Sequence, residues 1–155
     1  MPNAIVDKPI QELMLRRYEK PGGLSERELV KRVCLSLGLL NPGDSRDVVV
    51  DILYVFLKRK KNFDLSSLEK AVYKARKMFK RPQIGITPSN ITRQLRKLRQ
   101  LQIIERTDKL YKIRENLSLV EIFESKIERI LLEPTIERIK EYLALADQKL
   151  SSVEK

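Results

Sequence analysis

The most apolar stretch of the chain runs through Val48-Val49-Val50 and Ile52-Leu53-Tyr54-Val55-Phe56-Leu57, with Asp51 as its one interruption. From Ser45 to Lys61 it spans 17 residues between polar ends. That length favours a buried helix, although its β-branched content leaves a strand within it open. Weaker periodic segments surround it. Ile10, Leu13, Met14 and Tyr18 share one face of a helix expected over Pro9 to Lys20, which Pro21-Gly22-Gly23 would stop. Ser25 and Glu28 have capping-box spacing, so a second helix is expected from there to about Leu39. Asn41-Pro42-Gly43-Asp44 reads as a turn. Asp64 then caps a helix from Leu65 to about Lys80, with Leu65, Leu68, Val72, Ala75 and Phe79 inward.

After Gly85 the pattern sharpens. Thr87 suits an N-cap and Pro88 the first helical position. Ile91, Leu95, Leu98 and Leu101 recur at spacings of 4, 3 and 3, which defines one buried stripe. Ile103 to Arg106 and Leu110 to Arg114 alternate as two strands around Thr107-Asp108-Lys109. Further on, Val120, Phe123, Ile127 and Ile130 mark a helix over Leu117 to Leu132. Pro134 is expected to open another, with Ile136, Ile139, Leu143, Ala146 and Leu150 on a short heptad seam. That seam would pack either on the chain's own N-terminal helices or on its twin in a homodimer.

Charge changes the picture. Residues 58–114 hold 18 Lys/Arg against 4 Asp/Glu, whereas residues 1–57 hold 8 of each and residues 115–155 hold 6 basic and 9 acidic. The net charge of +11 therefore resides in the middle of the chain. A cationic middle between neutral and acidic flanks suits a fold that meets a polyanion with one part of its surface. The candidate site is the polar side of the helix after Gly85. Asn90, Arg93, Gln94 and Lys97 sit where a major-groove helix places base-reading side chains: Asn or Gln suits adenine, Arg suits guanine. Arg96 and Arg99 flank them. Ser89 and Thr92 are placed to bond phosphate near the helix N-terminus. Arg106, Lys109, Lys112 and Arg114 make the hairpin basic, suited to the phosphate backbone or the minor groove. Lys58-Arg59-Lys60-Lys61 reads equally as a phosphate clamp or as cations satisfying a helix C-terminus.

On Ile84 to Leu98, then Leu101 to Arg106, then Leu110 to Ile113, the chain resembles winged-helix transcriptional regulators of the MarR and ArsR families and their archaeal relatives. The resemblance covers about Leu65 to Arg114, a third of the chain. It implies a three-helix core with a β-hairpin wing, and groove-facing positions for Ser89, Asn90, Arg93, Gln94 and Lys97. Many such proteins carry Gly before the first wing strand; Gln102 stands there, at a cost if the position needs positive φ. The wing is short and lacks Gly.

The expected fold is thus mainly α with a small β-hairpin wing. The expected layout is an N-terminal helical extension at 1–43, a winged helix-turn-helix domain at 44–115 and a C-terminal helical arm at 116–155. The expected partners are double-stranded DNA and a second copy of the chain, joined through the C-terminal helices. The expected function is sequence-selective DNA binding in transcription regulation. The alternative is a winged-helix module that docks onto a transcription, replication or segregation assembly. Few aromatics interleave with the basic residues, which ranks RNA lower.

Other classes are disfavoured. There is no His and one Cys, which removes Cys/His zinc clusters and His-based catalysis. Cys34, among apolar neighbours, reads as core. Asp44, Asp47 and Asp51 read as capping residues that favour the helix dipole, rather than as metal ligands. No enzyme, cofactor or metal is expected. No stretch of about 20 apolar residues is present, and Met1 to Lys8 has no signal-peptide core, so a cytoplasmic protein without a membrane span is expected.

Overall fold

In the computed structural model, which describes residues 9–151, the apolar run at 48–56 is a helix at the centre of the core. The chain forms α1 (Glu26–Ser36), α2 (Val48–Arg59), α3 (Leu65–Met78), α4 (Pro88–Gln100), β1 (Ile104–Thr107) and β2 (Leu110–Ile113). A 3-10 turn at Arg114–Asn116 precedes α5 (Leu119–Ile122), a π-helical stretch at Phe123–Leu132 and α6 (Glu133–Leu150). The chain is mainly helical with one small antiparallel hairpin, as expected. It divides into two compact units, residues 1–116 and 117–155. The signal-peptide reading of Met1 to Lys8 lies outside the described residues.

Every residue from Val48 to Phe56 is buried, so α2 is surrounded rather than amphipathic. Packed around it in the first unit are α1, α3, α4 and β2. Leu68 and Val72 of α3, Ile91, Leu95 and Leu98 of α4, and Ile103 and Ile104 contribute side chains at or below 1% exposure. The hairpin is in register, with Ile104 opposite Ile113 and Thr107 opposite Leu110. A third strand-like contact was not foreseen. Phe63 bridges Tyr111, exchanging backbone bonds of 2.9 and 2.8 Å, so the link between α2 and α3 pairs with β2. Phe63 packs edge-on against Phe56.

Local chemistry sets the boundaries. Asp64 and Ser67 form a reciprocal capping box at α3, and Ser25 Oγ accepts the Glu28 N–H at α1. The ends of α1, α3 and α4 share one device. Leu39 N–H reaches Cys34 O and Gly38 N–H reaches Leu35 O; Arg81 and Lys80 do the same at α3, and Ile103 and Gln102 at α4. These paired bonds are Schellman motifs, and each needs a left-handed residue: Gly38 (φ 74), Lys80 (φ 56) and Gln102 (φ 69). Gly38 thus ends α1 three residues before the expected Leu39.

Three expectations need correction or qualification. Pro9 to Lys20 is not helical. Leu15 is 98% exposed and Ile10 and Met14 also face solvent, so a helix there would have no surface to bury its apolar face against. This irregular segment instead crosses the end of α1, where Gln11 Nε2 donates to Leu37 O at 2.7 Å and the Glu12 carbonyl lies so close to Gly38 that no side chain fits. Pro134 stands at the start of α6, as expected, but that start is not a break: α5, the π-helical stretch and α6 follow one another continuously, and Thr135 Oγ1 donates back to Leu131 O at 2.6 Å. The wider π turns relieve the clash and the missing donor that Pro brings to a helix interior.

The third correction concerns Asp47 and Asp51: Asp47 takes the N-cap position and Asp51 the first turn of α2, but their carboxylates do not cap. Four residues apart, both are buried. Asp47 makes no capping bond; both carboxylates instead meet Arg27 of α1 and Arg76 of α3, at 2.6 to 3.0 Å between paired atoms. Two cations and two anions, all at most 5% exposed, balance in charge and satisfy the rule that buried charges be paired. Only Asp44 behaves as a turn residue, accepting the Arg46 N–H at 2.9 Å. Through this cluster the expected N-terminal extension is bound into the first unit, and the expected boundary at residue 43 falls within it.

Candidate nucleic-acid interface

The turn before α4 is held from three sides. Arg76, anchored by the two aspartates, donates from Nε and Nη2 to Pro82 O at 2.9 and 2.7 Å. Gly85 adopts φ 80, and a side chain there would press on Val48 and Asn90. Thr87 Oγ1 accepts the Asn90 N–H at 3.2 Å as the N-cap, with Pro88 following.

With Ile91, Leu95 and Leu98 buried, 100° per residue puts Ser89, Arg93, Arg96 and Gln100 on the opposite side of α4. All four are exposed, as is Lys97 beside them. Gln100 belongs to this stripe by its i+7 spacing from Arg93, a signal present in the sequence but not used. Thr92 lies on one flank and is half-buried. Asn90 and Gln94 lie on the other, also half-buried, and their amides are engaged. Asn90 Nδ2 donates to Gly85 O at 2.7 Å, while its Oδ1 accepts Arg93 Nη2 at 2.7 Å and Gln94 Nε2 at 3.2 Å. Asn90 therefore orients Arg93 rather than presenting a free amide.

Two clefts border this stripe. One, of about 360 Å³, lies between the Asn90, Arg93, Gln94 and Lys97 side of α4 and the segment 38–46, from which Arg46 joins. Arg46 was not among the expected site residues. The other, of about 460 Å³, lies between the C-terminal half of α4 and the hairpin. Arg96, Arg99, Arg106 and Arg114 line it with Gln100 and Glu105. Arg106 also lies over the Tyr111 ring at 5.5 Å. Glu105 is the one anion in this cleft. Burial pushes its carboxyl up, but the Glu115 N–H, Lys112 and Arg114 together outweigh that and hold it below the usual carboxylate range. Lys112 Nζ sits 3.4 Å from Glu105, so its charge is partly spent. Lys109 is exposed at the hairpin tip.

Not all the cations of 58–114 contribute. Arg76 is buried in the four-charge cluster, and Lys58 pairs with Glu26 at 3.0 Å. Lys70 and Lys74 line a separate cleft on α3 with Tyr73 and Ile86. Cys34 is fully buried, and its thiol is pushed up to about 12 by burial and then by the charge of Asp51. Among the described residues no cluster of His, Cys, Asp and Glu suits a metal ion, and no helix is long and apolar enough to cross a membrane. The chain matches no family model, and comparison with curated proteins and with solved structures finds no match.

Proposed function

We propose that the first unit is a winged-helix module that binds double-stranded DNA as a transcription regulator, with α4 in the major groove and the hairpin along the phosphate backbone. The observation that carries this reading is the arginine cleft beside the outward stripe of α4, lined by four guanidiniums, one glutamine and one anion. Such a surface is costly to keep cationic unless a polyanion neutralises it. The order α2, Phe63 bridge, α3, α4, β1, β2 supports it as well, because the Phe63–Tyr111 pairing gives the hairpin a third, anchored edge. On this reading Arg93 and Gln100 read bases, while Arg46, Arg96, Lys97, Arg99 and Arg106 hold phosphates. Two copies joined through their C-terminal helices would read two half-sites related by a twofold axis.

The test is selection of bound fragments from random duplex DNA at near-physiological salt. One enriched motif with inverted symmetry supports the reading; no enrichment over input overturns sequence selectivity. With that motif in hand, Arg93→Ala should cost about 1–3 kcal/mol and relax preference at one position. The second reading, an assembly module, is favoured by the engagement of Asn90 and Gln94, which leaves fewer amides for base edges. It predicts weak, sequence-indifferent DNA binding and stable capture of a protein partner.

A further inference from the structure

The α6 helix carries an unpaired apolar seam whose flanks are complementary to themselves. Ile136, Ile139, Leu143 and Leu150 are 50, 51, 60 and 80% exposed, and Ala146 completes the spacing of 3, 4, 3 and 4. In heptad terms, Ile136, Leu143 and Leu150 take one core position and Ile139 and Ala146 the other. Lys140 and Asp147 then flank the seam on one side, and Tyr142 and Lys149 on the other. All four are exposed, and among the described residues none has an ionic partner. Acidic Glu137 and Glu141 lie away from the seam.

We propose that α6 pairs with α6 of a second copy in antiparallel orientation, with Ile139 packed against Leu150 and Leu143 against Ala146 of the other chain. The orientation follows from the flanks. Antiparallel helices bring like flanking positions together. In this register Lys140 of each chain meets Asp147 of the other, twice by symmetry, and each Tyr142 meets a Lys149. A parallel pair would set Lys140 beside Thr135 and Asp147 beside Tyr142, and gain no ion pair from residues 133–150. The small Ala146 opposite the larger Leu143 lets the helices approach at the middle of the seam. This inference rests on the dimeric reading above but not on DNA binding, and its test contains no DNA.

The experiment is sedimentation equilibrium of the full chain over a range of concentrations. The wild type should dimerise reversibly, on the order of micromolar for so short a seam. Lys140→Asp and Asp147→Lys should each weaken the dimer roughly tenfold, by placing like charges together at both symmetric contacts. The double variant should restore it. Orientation is read by oxidising an equimolar mixture of Ile139→Cys and Leu150→Cys chains: mixed disulfides are expected, since Cys34 is buried. A monomer at all concentrations overturns the dimer itself. A dimer without charge-swap rescue, or with 139–139 disulfides, overturns the antiparallel pairing alone.

Discussion

The bond from Arg93 Nη2 to Asn90 Oδ1 holds in place the arginine that, on the proposed function, would meet the bases. An arginine free to sample its rotamers loses conformational entropy on binding; one already held loses less. On that reading Asn90→Ala should weaken binding to the selected motif through Arg93, since the Asn90 amide is already engaged within the chain. A double-mutant cycle with Arg93→Ala, measured by fluorescence anisotropy, should give a coupling of at least about 0.5 kcal/mol. Strict additivity would mean that the two act separately. Asn90→Ala should also lower stability by about 1 kcal/mol, because it removes the bond to Gly85 O. The left-handed residues are a second matter at this scale. Lys80 and Gln102 hold positions that glycine fills at Gly38. Lys80→Gly and Gln102→Gly should each raise stability by about 0.5–1 kcal/mol in urea melts, the relief of left-handed strain exceeding the entropy glycine costs. Destabilisation by both would show that their side chains contribute more than their backbone costs. The resemblance to winged-helix proteins marked Gln102 as a place where many of them carry Gly, with a cost only if the position needed positive φ, and it does. Lys80 was missed because nothing in Met78-Phe79-Lys80-Arg81 departs from helix-forming residues.

At the scale of elements, the device that joins α1, α2 and α3 is the cluster of Arg27, Asp47, Asp51 and Arg76. Removing one partner strands a buried cation, so Asp51→Ala should cost about 3–5 kcal/mol, read from chemical denaturation. The pH dependence follows from Asp47. Burial pushes its carboxyl up, but hydrogen bonds from Arg76 and Arg27 and their charges outweigh that, so it titrates below its ordinary 3.8. A depressed aspartate contributes stability that is fully present above its unfolded value and is lost as pH falls toward its folded one. Stability should therefore hold steady down to about pH 5 and fall below about pH 4. Asp47→Asn should flatten that acid limb, and an unchanged limb would assign acid sensitivity elsewhere. None of this was legible in the sequence. Two aspartates near a helix start suit capping, and their true partners lie 20 to 29 residues away in the chain. The elements themselves were legible where the pattern was strong. Apolar content and length gave α2, and the stripe with Thr87 and Pro88 gave α4. The hairpin followed from alternation, but the Phe63 bridge is a single pair and leaves no periodic trace. Pro9 to Lys20 had the period of a helix without a surface to cover.

At the scale of the whole molecule, the sequence located the charge but overstated how much of it can act. Of the cations in 58–114, Arg76 is buried, Lys58 is paired with Glu26, Lys112 leans on Glu105, and Arg114 lies 3.9 Å from Glu105 while donating to Gln102 O. Arg46, outside that segment, lines the cleft beside Arg93. The cations available around α4 and the hairpin are then Arg46, Arg93, Arg96, Lys97, Arg99, Arg106 and Lys109. If each neutralises one phosphate, the slope of log K against log salt reaches about −6 per unit and no further, at about −0.9 per contact. A titration of the selected duplex from low to near-physiological salt measures it directly. Arg99→Ala and Arg106→Ala should each lower the slope by about one while leaving sequence preference intact, which separates phosphate contacts from Arg93. A slope near zero would remove DNA as the polyanion. One well beyond −6 per unit would bring in the lysines of α3, Lys70 and Lys74, and would mean that more than one face of the unit meets the nucleic acid.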